Sequence, residues 1–367
     1  MKVLTVCGDA LVEPLAEQPD VEQFALVSPQ NVDRLGRLER VKKTFPYRAA
    51  TKLHPPTIFN VRRAIQEVRP DVVHAFFSRP LAHVLLATTG MRDAPPIVSF
   101  RAIATPPSRF DPADRISYLH RRVDAHACEA WASARGLLAA GVPRERCFVS
   151  YRYSDCPKQS PGRAGLEPWD VPPDAFVVAS RGSFRPVKGA DVLIRAAIEC
   201  SDLRDIYWLL IGPIRDKRLA TMVREPRIRD RVRCLGYQEA GRELISGADL
   251  FAMASWSEGI PTALLEAMWQ GVCPVVTAAG GMPEVVVHGQ SGLVVSKGDH
   301  RALSAAIRSL HQNRDRLLAY GQAARRRMER DFTPAAFASR VMDIYRRVLK
   351  QGSGYSGFRS QEGSKAA

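Results

Sequence analysis

Two glutamates, Glu258 and Glu266, stand with seven residues between them in the run Ser255-Trp256-Ser257-Glu258-Gly259-Ile260-Pro261-Thr262-Ala263-Leu264-Leu265-Glu266. Gly259 lets the backbone turn sharply, and Pro261 is the residue type that opens a helix at its first position. A helix is therefore expected from Thr262 to about Gln270, stopped by Gly271, with Glu258 at its mouth and Glu266 on its second turn. The amides of Thr262 and Ala263 then have no intrahelical acceptor and sit at the positive end of the helix dipole, a seat for an anion. Carboxylates accept hydrogen bonds from sugar hydroxyls, and free amides hold phosphate. That combination suits a nucleotide sugar. Taken alone, the same residues also fit a helix-capping carboxylate and a solvated surface charge.

The elements that must position the pair favour the ligand reading. Before it runs Ala248-Asp249-Leu250-Phe251-Ala252-Met253, an apolar stretch of strand length, and after it Pro274-Val275-Val276-Thr277, followed by Gly280-Gly281-Met282-Pro283-Glu284. Strand, glycine-bearing loop, helix and strand in that order form a unit of a parallel sheet, and ligands bind at the carboxyl edge where such loops lie.

Three further blocks precede this one: Ser180-Arg181-Gly182-Ser183-Phe184-Arg185-Pro186-Val187-Lys188-Gly189 leading into Asp191-Val192-Leu193-Ile194, then Leu209-Leu210-Ile211-Gly212, then Val232-Arg233-Cys234-Leu235-Gly236. With the paired glutamates, Ala267-Met268, Gly271 and Pro274-Val275-Val276, these blocks cover most of residues 176–348. In order and content they resemble the donor-binding half of the family-4 retaining glycosyltransferases. The resemblance implies an α/β protein of the GT-B fold, with two Rossmann-like parallel-sheet domains facing a central cleft. It also implies roles. Lys188 matches the lysine on the donor diphosphate, where a fixed cation stabilises the departing charge. Glu258 matches the glutamate near the transferred sugar, and Glu266 the one on the ribose hydroxyls. Gly182, Ser183 and Arg185 lie in the phosphate loop. Gly236 and Tyr237 lie where the base is contacted, and Gly259, Ile260, Pro261, Thr262 and Ala263 form the loop and helix start under the diphosphate. Lys188 and Glu258 are the expected catalytic residues. The family usually carries an arginine five residues before the lysine. Here that position is Ser183, and Arg181 and Arg185 are the cations left to complete the clamp.

The front half alternates in the same way. Strands are expected at Met1–Gly8, Gln23–Ser28, Asp71–Phe76, Pro96–Phe100 and Arg146–Ser150, with helices between them, among them Thr57–Val68, where Ile58, Val61, Ile65 and Val68 recur at helical spacing. In this half the family often has a glycine-rich loop after the first strand; this chain has only Gly8. Where relatives often carry a histidine after the strand ending at Phe100, this chain has Arg101. His74 ends Asp71-Val72-Val73-His74, at a strand position that relatives place in the cleft, although a histidine there is more often one satisfied by neighbouring backbone at the strand end. Gly8, His74 and Arg101 are therefore the acceptor-side candidates. The expected division is an acceptor-side domain over 1–158, a Pro-, Gly- and charge-rich linker over 159–173, a donor-binding domain over 174–334, a helix over 335–350 returning to the first domain, and a Gly- and Ser-rich disordered tail over 351–367.

Composition bounds the partners. A chain of 367 residues is long enough for two domains, each with its own core. No apolar run reaches the roughly 18–20 residues of a membrane helix. Asp9 interrupts the apolar start and no small-residue cleavage site follows, so no secretory signal is expected. Seven cysteines without a close pair point to free thiols in a reducing cytoplasm. No Asp-x-Asp suggests a metal held with a diphosphate, so neither metal nor cofactor is expected beyond the nucleotide-sugar substrate. The net charge of +15 is spread along the chain without a basic tract interleaved with aromatics, which argues against nucleic acid. The densest basic cluster of the front half, Arg34, Arg37, Arg40, Lys42 and Lys43, suggests an anionic membrane surface at the inner face of the cytoplasmic membrane. The expected reaction is transfer of a hexosyl group, with retention, from a nucleotide diphosphate sugar (UDP favoured) to a glycan or lipid-linked acceptor, in cell-surface polysaccharide or lipopolysaccharide biosynthesis. A nucleotide-sugar epimerase of the same fold and a non-catalytic sugar-nucleotide-binding relative are the alternatives.

Overall fold

The computed structural model describes residues 1–156 and 160–355. The chain divides into two compact units, Met1–Tyr151 together with the segment from Pro334, and Arg152–Thr333.

The first unit is built on seven strands: β1 (Lys2–Val6), β2 (Glu22–Val27), β3 (Val41–Pro46), β4 (Val72–Phe76), β5 (Ile97–Arg101), β6 (Ala125–Cys128) and β7 (Cys147–Val149). All pair in parallel, in the order β3-β2-β1-β4-β5-β6-β7. Parallel sheets are covered on both faces, and β4, Val-Val-His-Ala-Phe, is buried at every position. Two of these strands carry no clear sequence signal. β3 is an edge strand whose Lys42 and Lys43 face solvent, breaking the apolar run while protecting the edge from pairing. β6, Ala-His-Ala-Cys, is fully buried but made of small residues with little strand propensity. The Pro55–Val68 helix buries Val61, Ala64, Ile65 and Val68 against the sheet. The final helix, Pro334–Tyr355, belongs to the same unit and buries Phe337, Val341, Tyr345 and Val348, a stripe at helical spacing. It runs to Tyr355, so the expected tail from 351 begins inside a helix; residues 356–367 lie outside those described.

The second unit has six parallel strands: β8 (Phe176–Arg181), β9 (Ile206–Ile211), β10 (Val232–Gly236), β11 (Leu250–Met253), β12 (Cys273–Thr277) and β13 (Leu293–Val295). Their order is β10-β9-β8-β11-β12-β13. Phe176, Trp208, Leu250, Val275, Leu193 and Ile307 belong to the core on this sheet. In both units the winding direction reverses at one place, between β1 and β4 and between β8 and β11, which makes each a Rossmann-like doubly wound sheet.

The stretch expected as a linker is packed where it is described. Gly162–Trp169 forms a 3₁₀ helix whose Leu166 is buried and lies against Gly247, while the Gly162 amide donates to Ser246 Oγ at 2.9 Å. Arg163 pairs with Asp249 at 2.5 Å. A composition rich in Pro, Gly and charge described a turned segment of the second unit; residue 159 of that expectation lies outside the described residues.

Candidate functional site

The reversal point of the second sheet brings two loops together. β8 ends at Arg181 and feeds the 182–189 loop; β11 ends at Met253 and feeds the loop to the Thr262–Trp269 helix. Gly189 has φ of +63°, and a Cβ there would lie 1.8 Å from the Ala254 carbonyl oxygen. Only glycine lets the first loop pass this close to the second. The Trp256 amide then donates to the Val187 carbonyl at 3.0 Å, fastening the two.

This crossing delivers Lys188 to Glu258. Lys188 Nζ lies 2.7 Å from Glu258 Oε1 and 2.8 Å from Oε2, and Ser255 Oγ donates to Oε1 at 2.7 Å. Ser255 is itself held, since its carbonyl accepts from Thr277 Oγ1 at 2.7 Å. The Glu258 side chain is 8% exposed and that of Lys188 34%, so the carboxylate is fixed while the ammonium reaches solvent. The Glu258 backbone is pinned from a third direction: Gly280 has φ of +55°, and a Cβ there would lie 1.7 Å from the Glu258 carbonyl oxygen. Next to it, the Gly281 amide donates to the Gly259 carbonyl at 2.8 Å.

Glu266 lies one turn into the helix and is 5% exposed. Arg181 is ion-paired to its Oε2, and Arg242 Nε stands 4.0 Å from Oε1. Burial pushes the Glu266 carboxyl up from its ordinary range, opposed by the Arg181 and Arg242 charges. Arg181 is therefore engaged by Glu266 and is not a free cation of the phosphate loop. Arg185 is exposed and, among the described residues, is within ion-pairing distance of no carboxylate. Gly182, with φ of +151°, and Ser183 continue the chain from β8.

Pro261 is the N-cap of the helix and not its first residue, and Thr262 and Ala263 occupy the first two helical positions. No side chain caps this end, so their amides keep the anion-binding character expected of them. Ile260 is buried beneath the turn that Gly259 begins. At the end of β10, Gly236 has φ of +64° and Tyr237 is 80% exposed, an aromatic face held out beside the carboxyl edge. Sequence reasoning missed Arg242, Ser255 and Gly280. Ser255 sits three residues before Glu258, the spacing of a local carboxylate donor; Arg242 and Gly280 come from distant segments, and no local pattern announces them.

In the first unit, Gly8 and His74 share a neighbour. A Cβ at Gly8 would lie 2.2 Å from the Phe76 ring, and the His74 ring stacks on Phe76 with centroids 4.4 Å apart. His74 is fully buried, with Nδ1 2.7 Å from the Tyr345 hydroxyl, and burial drops its pKa to about 3. The structure thus places His74 inside the sheet's core instead of at a surface. Arg101 is 3% exposed; its guanidinium lies 4.5 Å over the Tyr118 ring and donates to the Thr105 carbonyl at 2.5 Å. At this sheet's reversal point the chain leaves β1 and β4 through Cys7 and Phe77, with φ of +62° and +68°. Both are non-glycine residues in a strained region, and the Phe77 side chain is exposed. Neither signal is visible in sequence.

Comparison with known proteins agrees with this geometry. A family model described as glycosyl transferases group 1 matches residues 166–327. The chain is 33% identical over 189 residues to the lipopolysaccharide core biosynthesis glycosyltransferase LpsD of Rhizobium meliloti, covering 50% of this chain and 52% of that protein. It is 30% identical over 225 residues to the amylovoran biosynthesis glycosyltransferase AmsK of Erwinia amylovora, covering 58% and 53%. The chain thus spans about half the length of the curated relatives it matches. The crystal structure of Anabaena HepE in complex with UDP superposes with a TM-score of 0.79 at 19% identity, covering 94% of this chain and 99% of that one. Residues 166–327, all within the second unit, match the group 1 glycosyl transferase model, and both units carry doubly wound sheets, so the chain contains a region similar to that family and has the GT-B fold.

Proposed function

We propose that this chain transfers a hexosyl group from a nucleotide diphosphate sugar, UDP-sugar above others, to a glycan or lipid-linked acceptor, with retention of anomeric configuration and without a metal. The observation that carries the reading is the convergence of Lys188, Glu258 and the uncapped amides of Thr262 and Ala263 at the reversal point of one sheet. Two relatives named for lipopolysaccharide core and amylovoran biosynthesis support a cell-surface polysaccharide product, and the HepE complex supports UDP as the carrier.

The chemistry follows from the charges. Leaving-group departure builds negative charge on the diphosphate. Lys188, Arg185 and the two amides supply fixed positive potential there, the work a metal does in other sites. The diphosphate competes with Glu258 for Lys188. Once relieved of the ammonium, the Glu258 carboxylate, still oriented by Ser255, accepts from hydroxyls of the transferred sugar. Glu266, oriented by Arg181 and Arg242, accepts from the ribose hydroxyls. Tyr237 and Gly236 flank the base, and the first unit takes the acceptor. An anionic membrane surface is a further partner of this reading, because Arg37 and Lys42 are exposed beside the ion-paired Arg34 and Lys43.

The test is product analysis with UDP-sugar labelled in the sugar, incubated with a lipid-linked glycan extract. A labelled acceptor with the donor's anomeric configuration supports the proposal. Inverted product, epimerised donor or binding without turnover would each overturn it.

A further inference from the structure

The first unit contains a cavity of about 550 Å³ whose wall includes residues at the edge from which β6 and β7 start. It lies between the crossover that joins β5 to β6 and the connection that leads into β7. Arg109, Arg115, Arg121, Arg146, His120 and His126 contribute to its wall, and no Asp or Glu does. A volume of this size holds a small ligand.

Two of the arginines are positioned by backbone. Arg109 Nε donates to the Ala140 carbonyl at 2.7 Å and Arg146 Nη1 to the Arg121 carbonyl at 3.0 Å, which fixes each guanidinium while leaving other donors unspent. Gly141 makes room for the first: a Cβ there would lie 1.7 Å from Arg109 Nη2. Arg115 and Arg121 are exposed and, among the described residues, within ion-pairing distance of no carboxylate. Asp124, whose carboxylate accepts the Ile97 amide at 2.8 Å, lies near Arg146 and Arg122 and partly offsets Arg146 alone. Both histidines are biased to the neutral form by burial and by neighbouring arginines. His120 Nδ1 accepts the Arg122 amide at 3.2 Å, and His126 Nδ1 lies 2.7 Å from Ser99 Oγ.

Four guanidinium groups line one cavity whose wall has no carboxylate, with Asp124 offsetting Arg146 alone; an anion shared among them relieves their repulsion, and forked donors match phosphate oxygens. We infer that this cavity binds a phosphate-bearing ligand at a site separate from the nucleotide-sugar site. The phosphate comes either from a soluble phosphate ester or from a lipid headgroup. Phe110, beside Arg109 and 96% exposed, is the residue a lipid surface would take up.

The test uses the full chain carrying Lys188→Ala, so that the nucleotide-sugar site does not contribute. Arg115→Ala with Arg121→Ala is added to it; neither side chain holds the fold by a described bond, and an unchanged melting temperature checks this. Calorimetry with inorganic pyrophosphate and flotation with phosphatidylglycerol vesicles, against phosphatidylcholine as control, are the readouts. The inference expects the added pair to weaken at least one of them by about tenfold or more, from the loss of two charge-assisted contacts. Loss of pyrophosphate binding alone assigns a soluble phosphate ester. Loss of vesicle binding, reproduced by Phe110→Ser, assigns a lipid headgroup. Unchanged pyrophosphate binding together with unchanged vesicle binding would overturn the site.

Discussion

Lys188 Nζ is shared almost evenly by the two oxygens of Glu258, at 2.7 and 2.8 Å, although 70 residues separate the two in sequence. The pair joins the two strands at which the second sheet reverses its winding. The cation proposed for the diphosphate and the carboxylate proposed for the transferred sugar are therefore held as one unit.

Lys188→Ala is expected to lower kcat/KM by about 10²–10³-fold, the usual effect of removing one fixed charge from a site where negative charge develops. Its effect on stability should be small, about 1 kcal/mol or less, because the ammonium is 34% exposed and solvent screens the pair. Donor kinetics and chemical denaturation of the same preparation separate the two effects.

Gly280→Ala should behave in the opposite way. The new Cβ would meet the Glu258 carbonyl oxygen at 1.7 Å in a backbone conformation that disfavours it, at a cost of at least about 2 kcal/mol. Denaturation should show the loss, and nucleotide-sugar affinity should fall with it because the Glu258 loop is displaced. Wild-type stability in this variant would show that the loop is not pinned there.

Much of the candidate site's geometry was legible in sequence because its residues sit on local elements. The Pro261-to-Gly271 helix, the phosphate loop ending in Lys188 and the apolar strands each carry a signal within a dozen residues. What was not legible depends on distance along the chain. Arg181, beside the phosphate loop, turns to Glu266 because both line the same sheet edge, and Arg242 joins them from the segment before β11. The buried fate of His74 could not be read either, since its partner Tyr345 is 271 residues away. β3 and β6 escaped because charge on an edge and small residues in a core both erase the apolar pattern that announces a strand.

Glu266→Gln should leave Arg181 and Arg242 facing a neutral amide. Partial exposure of Arg181 limits the stability loss to about 1–2 kcal/mol, below that of a fully buried pair. The functional signature is in pH. Burial raises the Glu266 carboxyl, so donor affinity in the wild type should fall on acidification before the ordinary carboxylate range is reached, as the acceptor of ribose hydroxyls is protonated. The Gln variant should bind more weakly and lack that step, which calorimetry at a series of pH values would reveal.

His74 and His126 are both pushed down to about 3 by burial, against 6.5 for a free histidine. Between these values the unfolded chain binds more protons than the folded one. Stability must therefore rise with pH across that window and be fully present above about 6.5, by about 1.4 kcal/mol per pH unit for each histidine. His74→Asn should reduce proton uptake on unfolding near pH 5 by about one proton. An unchanged uptake would mean that His74 is charged in the folded protein.

The central claim is a single donor site built by Lys188, Glu258 and Glu266, and calorimetric binding tests it most directly. UDP-, GDP- and ADP-sugars would be titrated into the wild type, Lys188→Ala and Glu266→Ala, each with and without chelator. The account predicts binding of one donor, UDP-sugar, that is unaffected by chelator and lost or strongly weakened in both variants. Equal affinity in the wild type and the variants, or binding of no donor at all, would contradict it.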